Sequence, residues 1–270
     1  MKGFIRKMKT ELASPVHYQL PVGDDLFDLN SRLGKTLKLN FTGQLQCLNC
    51  SRPTKKSFSQ GYCYPCFKKL AACDLCIMKP ETCHYAAGTC REPEWGQANC
   101  MITHFVYLAN SSGLKVGITR HTQVPTRWID QGAIQALPIY KVQTRLDSGR
   151  LETTLGTMVK DKTNWRTMLK GEVDVIDMKQ RRDELLEALE ISLKNLAAQG
   201  VVMTPLDAEV VKIDYPVLEY PKKISSFNFD KDPVVEGTLM GIKGQYLIFD
   251  TGVINLRKFT AYEIEIQDSH

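Results

Sequence analysis

Six of the nine cysteines in this 270-residue chain fall in three Cys-x-x-Cys pairs within thirty residues: Cys47/Cys50, Cys63/Cys66 and Cys73/Cys76. Cys83, Cys90 and Cys100 follow, and no cysteine lies outside residues 47–100. Two residues between thiolates let both sulfurs of a tight turn face one ion at ~2.3 Å, and two such turns close a tetrahedron. The segment is also short of aliphatic residues, so metal has to stand in for a core there. Disulfides are the competing reading. An odd count opposes it, and the start, MKGFIRKMKTELASPV, is basic without an apolar run of signal-peptide length. No stretch approaches the ~20 apolar residues of a membrane span. The expectation is a cytoplasmic protein without a membrane partner, where Cys-x-x-Cys pairs bind metal.

The pairs Cys47/Cys50 and Cys63/Cys66, twelve residues apart, have zinc-ribbon-like spacing, and Tyr62, Tyr64 and Phe67 would cover the ion. Cys73, Cys76, Cys83 and Cys90 make a second four-thiolate set, with His84 and Cys100 as competing ligands. Tetrahedral thiolate sites suit zinc or iron–sulfur; zinc is the default, and a cluster stays open at the second set. Four thiolates leave no open coordination position, so one or two structural Zn²⁺ ions are expected.

Around this module the chain divides by pattern. Residues 1–46 read as a β module, because HYQLPV and KTLKLNFTGQLQ alternate apolar and polar positions. Residues 47–100 are the cysteine module. Residues 101–171 read as β-β-α-β-α: strands HFVYLA and LKVGIT, a helix near Pro125, a strand IYKVQTR, and a helix capped by Asp147 or Ser148. Residues 172–200 carry a helix with a leucine stripe at 185, 186, 189, 193 and 196, stopped by Gly200. Residues 201–232 resemble a linker, and 233–270 give three or four short strands that pair with 1–46 in one barrel or sandwich. The fold class is α+β. The net charge of +5 permits a nucleic-acid partner without demanding one. Residues 101–171 hold ten Lys/Arg against four Asp/Glu, a local balance of +6.

The runs HFVYLANSSGLKVGITR, VPTRWIDQGA and RLETTLG resemble the GIY-YIG nuclease superfamily, closest to the branch whose second motif reads Lys-hydrophobic-Gly-hydrophobic-Thr. The likeness covers about seventy residues. It implies a domain in which Tyr107 acts as, or relays to, a general base, Arg127 binds the scissile phosphate, and Glu152 holds one Mg²⁺ or Mn²⁺. Gly117 matches the second-motif glycine. Lys115, Arg120, Trp165 and Arg166 are the candidate nucleic-acid contacts. The sequence departs from the pattern at Phe105, where the first motif has Gly, and at Lys115, where the second has a hydroxyl. The whole chain also resembles an uncharacterised bacterial family with a cysteine-rich module ahead of this segment.

Each residue has a plainer role open to it. Tyr107 fits an amphipathic strand, Glu152 favours the positive end of a helix dipole, and Arg127 lies one turn from Asp130. Two function classes follow: a metal-dependent endonuclease on DNA or RNA, or a non-catalytic nucleic-acid-binding zinc protein that keeps the fold.

Overall fold

The computed structural model describes residues 1–159 and 164–268. In chain order the strands and helices are β1 Lys2–Phe4, β2 Lys9–Glu11, β3 His17–Val22, β4 Asp25–Asp28, β5 Thr36–Leu45, α1 Tyr64–Lys69, α2 Pro93–Asn99, β6 His104–Asn110 and β7 Leu114–Arg120. They continue with α3 Thr126–Asp130, β8 Gln135–Val142, α4 Arg145–Leu155, α5 Trp165–Lys170, α6 Met178–Ala188, α7 Glu190–Ala198, β9 Met203–Pro205 and β10 Val211–Lys212. The last strands are β11 Val234–Lys243, β12 Tyr246–Phe249, β13 Gly252–Asn255 and β14 Tyr262–Asp268. The chain is mixed α+β and forms two compact units. The first comprises Met1–Lys68, Leu169–Gly171 and Ile213–His270, and the second Lys69–Met168 and Glu172–Lys212.

In the first unit both ends of the sequence share one six-stranded sheet, ordered β1-β14-β5-β11-β12-β13. The N-terminal strand β5 lies between β11 and β14, antiparallel to both. The alternation read in residues 36–45 buries Leu37 and Leu39, and β14 turns Ile264 and Ile266 inward. Three antiparallel strands, β2-β3-β4, form a second sheet. An aromatic group of Phe41, Tyr262, Phe259 and Phe229, with ring centroids 4.8–5.3 Å apart along that chain, fills the space beside β5. The pairing expected between residues 1–46 and 233–270 is thus present, as one six-stranded sheet. Its β1–β14 and β5–β14 pairings join residues more than two hundred positions apart, which no local pattern encodes.

The second unit is built on the sheet β10-β8-β6-β7, with β9 also paired to β8. Val106 and Leu108 on β6, Val116 and Ile118 on β7, and Leu137, Ile139 and Val142 on β8 pack with Leu151 and Leu155 of α4 and the stripe Leu185, Leu189, Leu193 and Leu196. Five expectations are corrected here. The third strand begins at Gln135 rather than Ile139, and Arg145 opens a helix instead of ending a strand. That helix is capped by Thr144, whose Oγ1 accepts from the Asp147 backbone N–H at 3.1 Å and donates to Asp147 Oδ2 at 2.7 Å. The leucine stripe belongs to two helices divided at Leu189, not one. The expected linker supplies β9 and β10, both paired to β8.

β6 carries a bulge contact that matters for the site. Val106 pairs with Tyr140 but Tyr107 pairs with Pro138, so Ile139 is the extra residue. Proline lacks the N–H a regular ladder needs, so a bulge is where a central strand accommodates one, and bulges re-aim neighbouring side chains.

His104, at the start of β6, is fully buried, and its Nδ1–H donates to the Ile102 carbonyl at 2.8 Å. Burial holds the ring down to about 4, with the charges of Arg145, Arg120 and His121 adding to it against the Ile102 bond. The folded state therefore prefers the neutral ring. Its contribution is complete above the ordinary value of 6.5 and is lost as pH falls through 6.5 toward 4, by about 3 kcal/mol in all. Chemical denaturation between pH 7 and 4 should show this decline in the wild type, and His104→Leu should remove that part of it.

Candidate metal centre and phosphodiester site

The first unit closes a four-cysteine group from two turns. Cys47 and Cys50 follow β5, where the Cys47 N–H donates to the Arg52 carbonyl at 2.9 Å and the Ser51 N–H returns to the Cys47 carbonyl at 2.9 Å. Cys63 and Cys66 flank the start of α1, and the Leu48 N–H donates to the Gly61 carbonyl at 2.8 Å, binding the two turns together. All four sulfurs lie within 4.8 Å of one another. Sulfurs at ~2.3 Å from one ion in a tetrahedron stand about 3.8 Å apart; Cys50 Sγ and Cys63 Sγ are 3.7 Å apart.

The electrostatics agree with the geometry. Burial pushes the Cys47 thiol up, but the backbone amides of Cys63, Cys50 and Asn49 outweigh it and bring the thiol down to about 6. At Cys66 the Asn49 side chain favours the thiolate, yet burial and the neighbouring sulfurs push it up to about 12. Four thiolates do not coexist in this space without a cation. The donor set fits a thiophilic ion such as zinc, and such an ion would be structural, with every coordination position filled. Phe58, Tyr64 and Phe67 cluster beside the turn, with Phe58 at 5.4 Å from Tyr64 and 5.6 Å from Phe67.

The remaining cysteines lie in the second unit, so the cysteine segment divides at Lys68. Cys76, Cys83, Cys90 and Cys100 line one small enclosed cavity of about 10 Å³; Cys73, buried in the 3-10 turn 71–73, does not line it. Asp74, Cys76 and His84 also approach one another within 4.8 Å. Asp74 Oδ2, however, receives Arg91 Nε at 2.7 Å and faces His84 Nε2 at 3.5 Å.

On the central sheet Tyr107 is fully buried and pairs directly with Gly117. A Cβ at residue 117 would stand 2.7 Å from both Tyr107 Cζ and Oη, so the ring takes the space a side chain there would need. The Tyr107 hydroxyl donates to Gln131 Oε1 at 3.0 Å, and the ring meets Trp128 edge-on at 5.9 Å. Burial pushes this phenol up to about 12; the approaching Arg127 guanidinium opposes the rise and the Glu152 carboxylate adds to it. Arg127 of α3 and Glu152 of α4 therefore each lie within electrostatic reach of the Tyr107 hydroxyl on β6. Arg145 belongs to the same neighbourhood, feeling Cys100, Glu152, Arg120 and Arg127.

The basic candidates are arranged less uniformly. Lys115 is buried on β7 and does not present its ammonium to a passing polyanion. Arg120 donates to the Asn99 side-chain oxygen at the end of α2. Arg166 is exposed and covers one face of the Trp165 ring with its guanidinium carbon 4.3 Å from the centroid. Asn164 caps their helix, its Oδ1 accepting from the Arg166 N–H at 3.1 Å and the Thr167 N–H at 3.3 Å. Gln131, Trp128 and Arg145 were not legible as site residues; only the Thr144-x-x-Asp147 spacing, an N-cap signature, marks where Arg145 would fall.

Two outcomes test these geometries. Cys63→Ser should remove one zinc per chain by elemental analysis and lower the unfolding midpoint. Gly117→Ala should cost about 1–3 kcal/mol by forcing the Tyr107 ring aside, and double substitution with Tyr107→Phe should leave that cost in place, because Cζ remains in the way.

No curated protein and no solved structure matches the chain. A family profile described as "Protein of unknown function (DUF2797)" matches residues 34–264, a span from β5 into β14 that takes in all nine cysteines and the central sheet. The chain belongs to that family.

Proposed function

We propose that this protein binds nucleic acid through its central sheet and cleaves phosphodiester bonds there, with a zinc-stapled module in the same chain. The observation that carries the reading is the approach of Tyr107, Arg127 and Glu152 from three separate elements, in the order and residue types of the GIY-YIG resemblance. A single guanidinium and a single carboxylate beside a buried phenol suit a transferring phosphoryl group. Arg127 offers a planar fork to phosphate oxygens, and Glu152 is a hard oxygen ligand for Mg²⁺ or Mn²⁺. A divalent ion held there would neutralise developing charge and acidify a bound water.

The chain's own groups set the rest. The phenol is protonated at neutral pH, since burial places it at about 12. Its one proton goes to Gln131, so Tyr107 offers the attacking water an acceptor lone pair and donates to a water or phosphate oxygen only where Gln131 gives way. Arg127 would bind the phosphate and Glu152 would hold the ion. Arg120 and the Trp165/Arg166 pair offer charge and a stacking surface to the strand.

A second reading, binding without turnover, is favoured by one specific observation. Tyr107 is completely buried, so substrate reaches its hydroxyl only if Gln131 gives way.

The discriminating experiment uses labelled single-stranded, duplex, branched and tRNA-like substrates with Mg²⁺ or Mn²⁺. The nuclease reading expects cleavage by the wild type, loss of ~10²-fold or more in Arg127→Ala, and no detectable cleavage by Glu152→Gln with zinc content and binding retained. Binding by all proteins with cleavage by none assigns the site to recognition alone.

A further inference from the structure

We infer that Asp74, Cys76 and His84 hold a zinc ion of their own, with mixed oxygen, sulfur and nitrogen ligands and one coordination position left to solvent. It is independent of the Cys47–Cys66 group and does not rest on the nuclease reading.

One ligand atom from each of the three residues lies within 4.8 Å of the other two. Tetrahedral ligands at ~2.0–2.3 Å from an ion stand about 3.3–3.8 Å apart, and His84 Nε2 faces Asp74 Oδ2 at 3.5 Å. A charge-assisted hydrogen bond is shorter, at about 2.7–2.9 Å, and the His17–Asp28 pair of the same chain shows 2.9 Å. The Asp74–His84 spacing is therefore long for a direct ion pair and right for two ligands of one ion. Thr89 sets the ring. Its Oγ1 donates to the His84 carbonyl at 3.3 Å and so accepts from the Nδ1–H at 2.8 Å, leaving Nε2 turned to the carboxylate. A metal-bound imidazole is oriented by such a bond on its other nitrogen.

The backbone fixes the other two ligands. Asp74 joins the 3-10 turns 71–73 and 75–77. Its N–H donates to the Ala71 carbonyl at 3.0 Å and its carbonyl accepts from the Ile77 N–H at 3.0 Å, so Asp74 and Cys76 ride on one short, hydrogen-bonded stretch. Arg91 Nε donates to Asp74 Oδ2 at 2.7 Å. An ionised carboxylate has about four lone-pair sites, so this bond orients Asp74 without exhausting it, as hydrogen bonds to ligating carboxylates do. A carboxylate, a thiolate and a neutral imidazole around a divalent ion sum to zero charge, which suits a half-buried place. Cys83, Cys90 and Cys100 line the same cavity but do not join the three converging atoms. Three protein ligands leave the fourth position of a tetrahedral zinc to water. Apolar packing supports these turns little, since Leu75 and Met78 are 62% and 81% exposed, and an ion would tie them to the loop that carries His84.

Full-length protein loaded with zinc and dialysed, then analysed for zinc per chain and by X-ray absorption, tests the inference. The expected wild-type result, which needs no variant, is two zinc ions per chain with nitrogen or oxygen beside sulfur in the averaged first shell. Cys76→Ser and His84→Ala should each lose one zinc and keep the one that Cys63→Ser removes, whereas Cys83→Ser and Cys100→Ser should keep both. Thr89→Val should weaken the second zinc ~10-fold or more in competition with a chelator. A wild-type chain holding only the zinc removed by Cys63→Ser overturns the inference, as do sulfur-only first shells. So does loss of the second zinc in Cys83→Ser or Cys100→Ser with its retention in His84→Ala.

Discussion

The ring of Tyr107 fills the space that a side chain at residue 117 would occupy, and the organisation of the central sheet depends on that contact. Glycine at 117 lets β7 lie against β6 with the phenol between them and its surroundings. The bulge opposite Tyr107 absorbs Pro138, so β8 pairs along its whole length despite a residue that cannot donate. Gln131 and Trp128 then close over the ring from the α3 side. The outcome is a phenol desolvated to about 12, with Arg127 and Glu152 as the charges nearest enough to influence it.

The cysteine segment obeys a different constraint. Its residues bury few aliphatic side chains, and its structure is turns: the knuckles after β5 and before α1, then the 3-10 turns from 71 to 82. Turns of this kind leave backbone polar groups in water and gain little from burial, so an ion on Cys47, Cys50, Cys63 and Cys66 would supply there what apolar packing supplies elsewhere. The cysteines divide between the two compact units, with Cys47, Cys50, Cys63 and Cys66 in the first and the other five in the second.

What the sequence revealed follows the range of the forces involved. The Cys47–Cys66 geometry was readable because two-residue spacing fixes a local turn. β6 and β7 were readable from alternation around the turn at 110–113. β8 was read four residues late, because Gln-Ala-Leu-Pro looks like a turn until a partner strand accepts the proline at a bulge. β9 and β10 were hidden in a proline-containing stretch, since two or three residues become strands only by pairing with β8. The second cysteine group shows the same limit. Spacing selects Cys73, the nearest in sequence, whereas the fold sets Cys100 on the cavity at the end of α2. Arg145 hid inside an apparent strand for want of a recognised cap at Thr144.

The central claim is that Tyr107, Arg127 and Glu152 together form a site for a divalent ion and a phosphodiester. Anomalous diffraction from crystals of the full chain grown with Mn²⁺ and a short oligonucleotide tests it most directly. The account predicts a manganese peak on the Glu152 carboxylate with a phosphate oxygen shared between the ion and Arg127. Manganese absent from Glu152, with the oligonucleotide bound elsewhere on the chain, would contradict it.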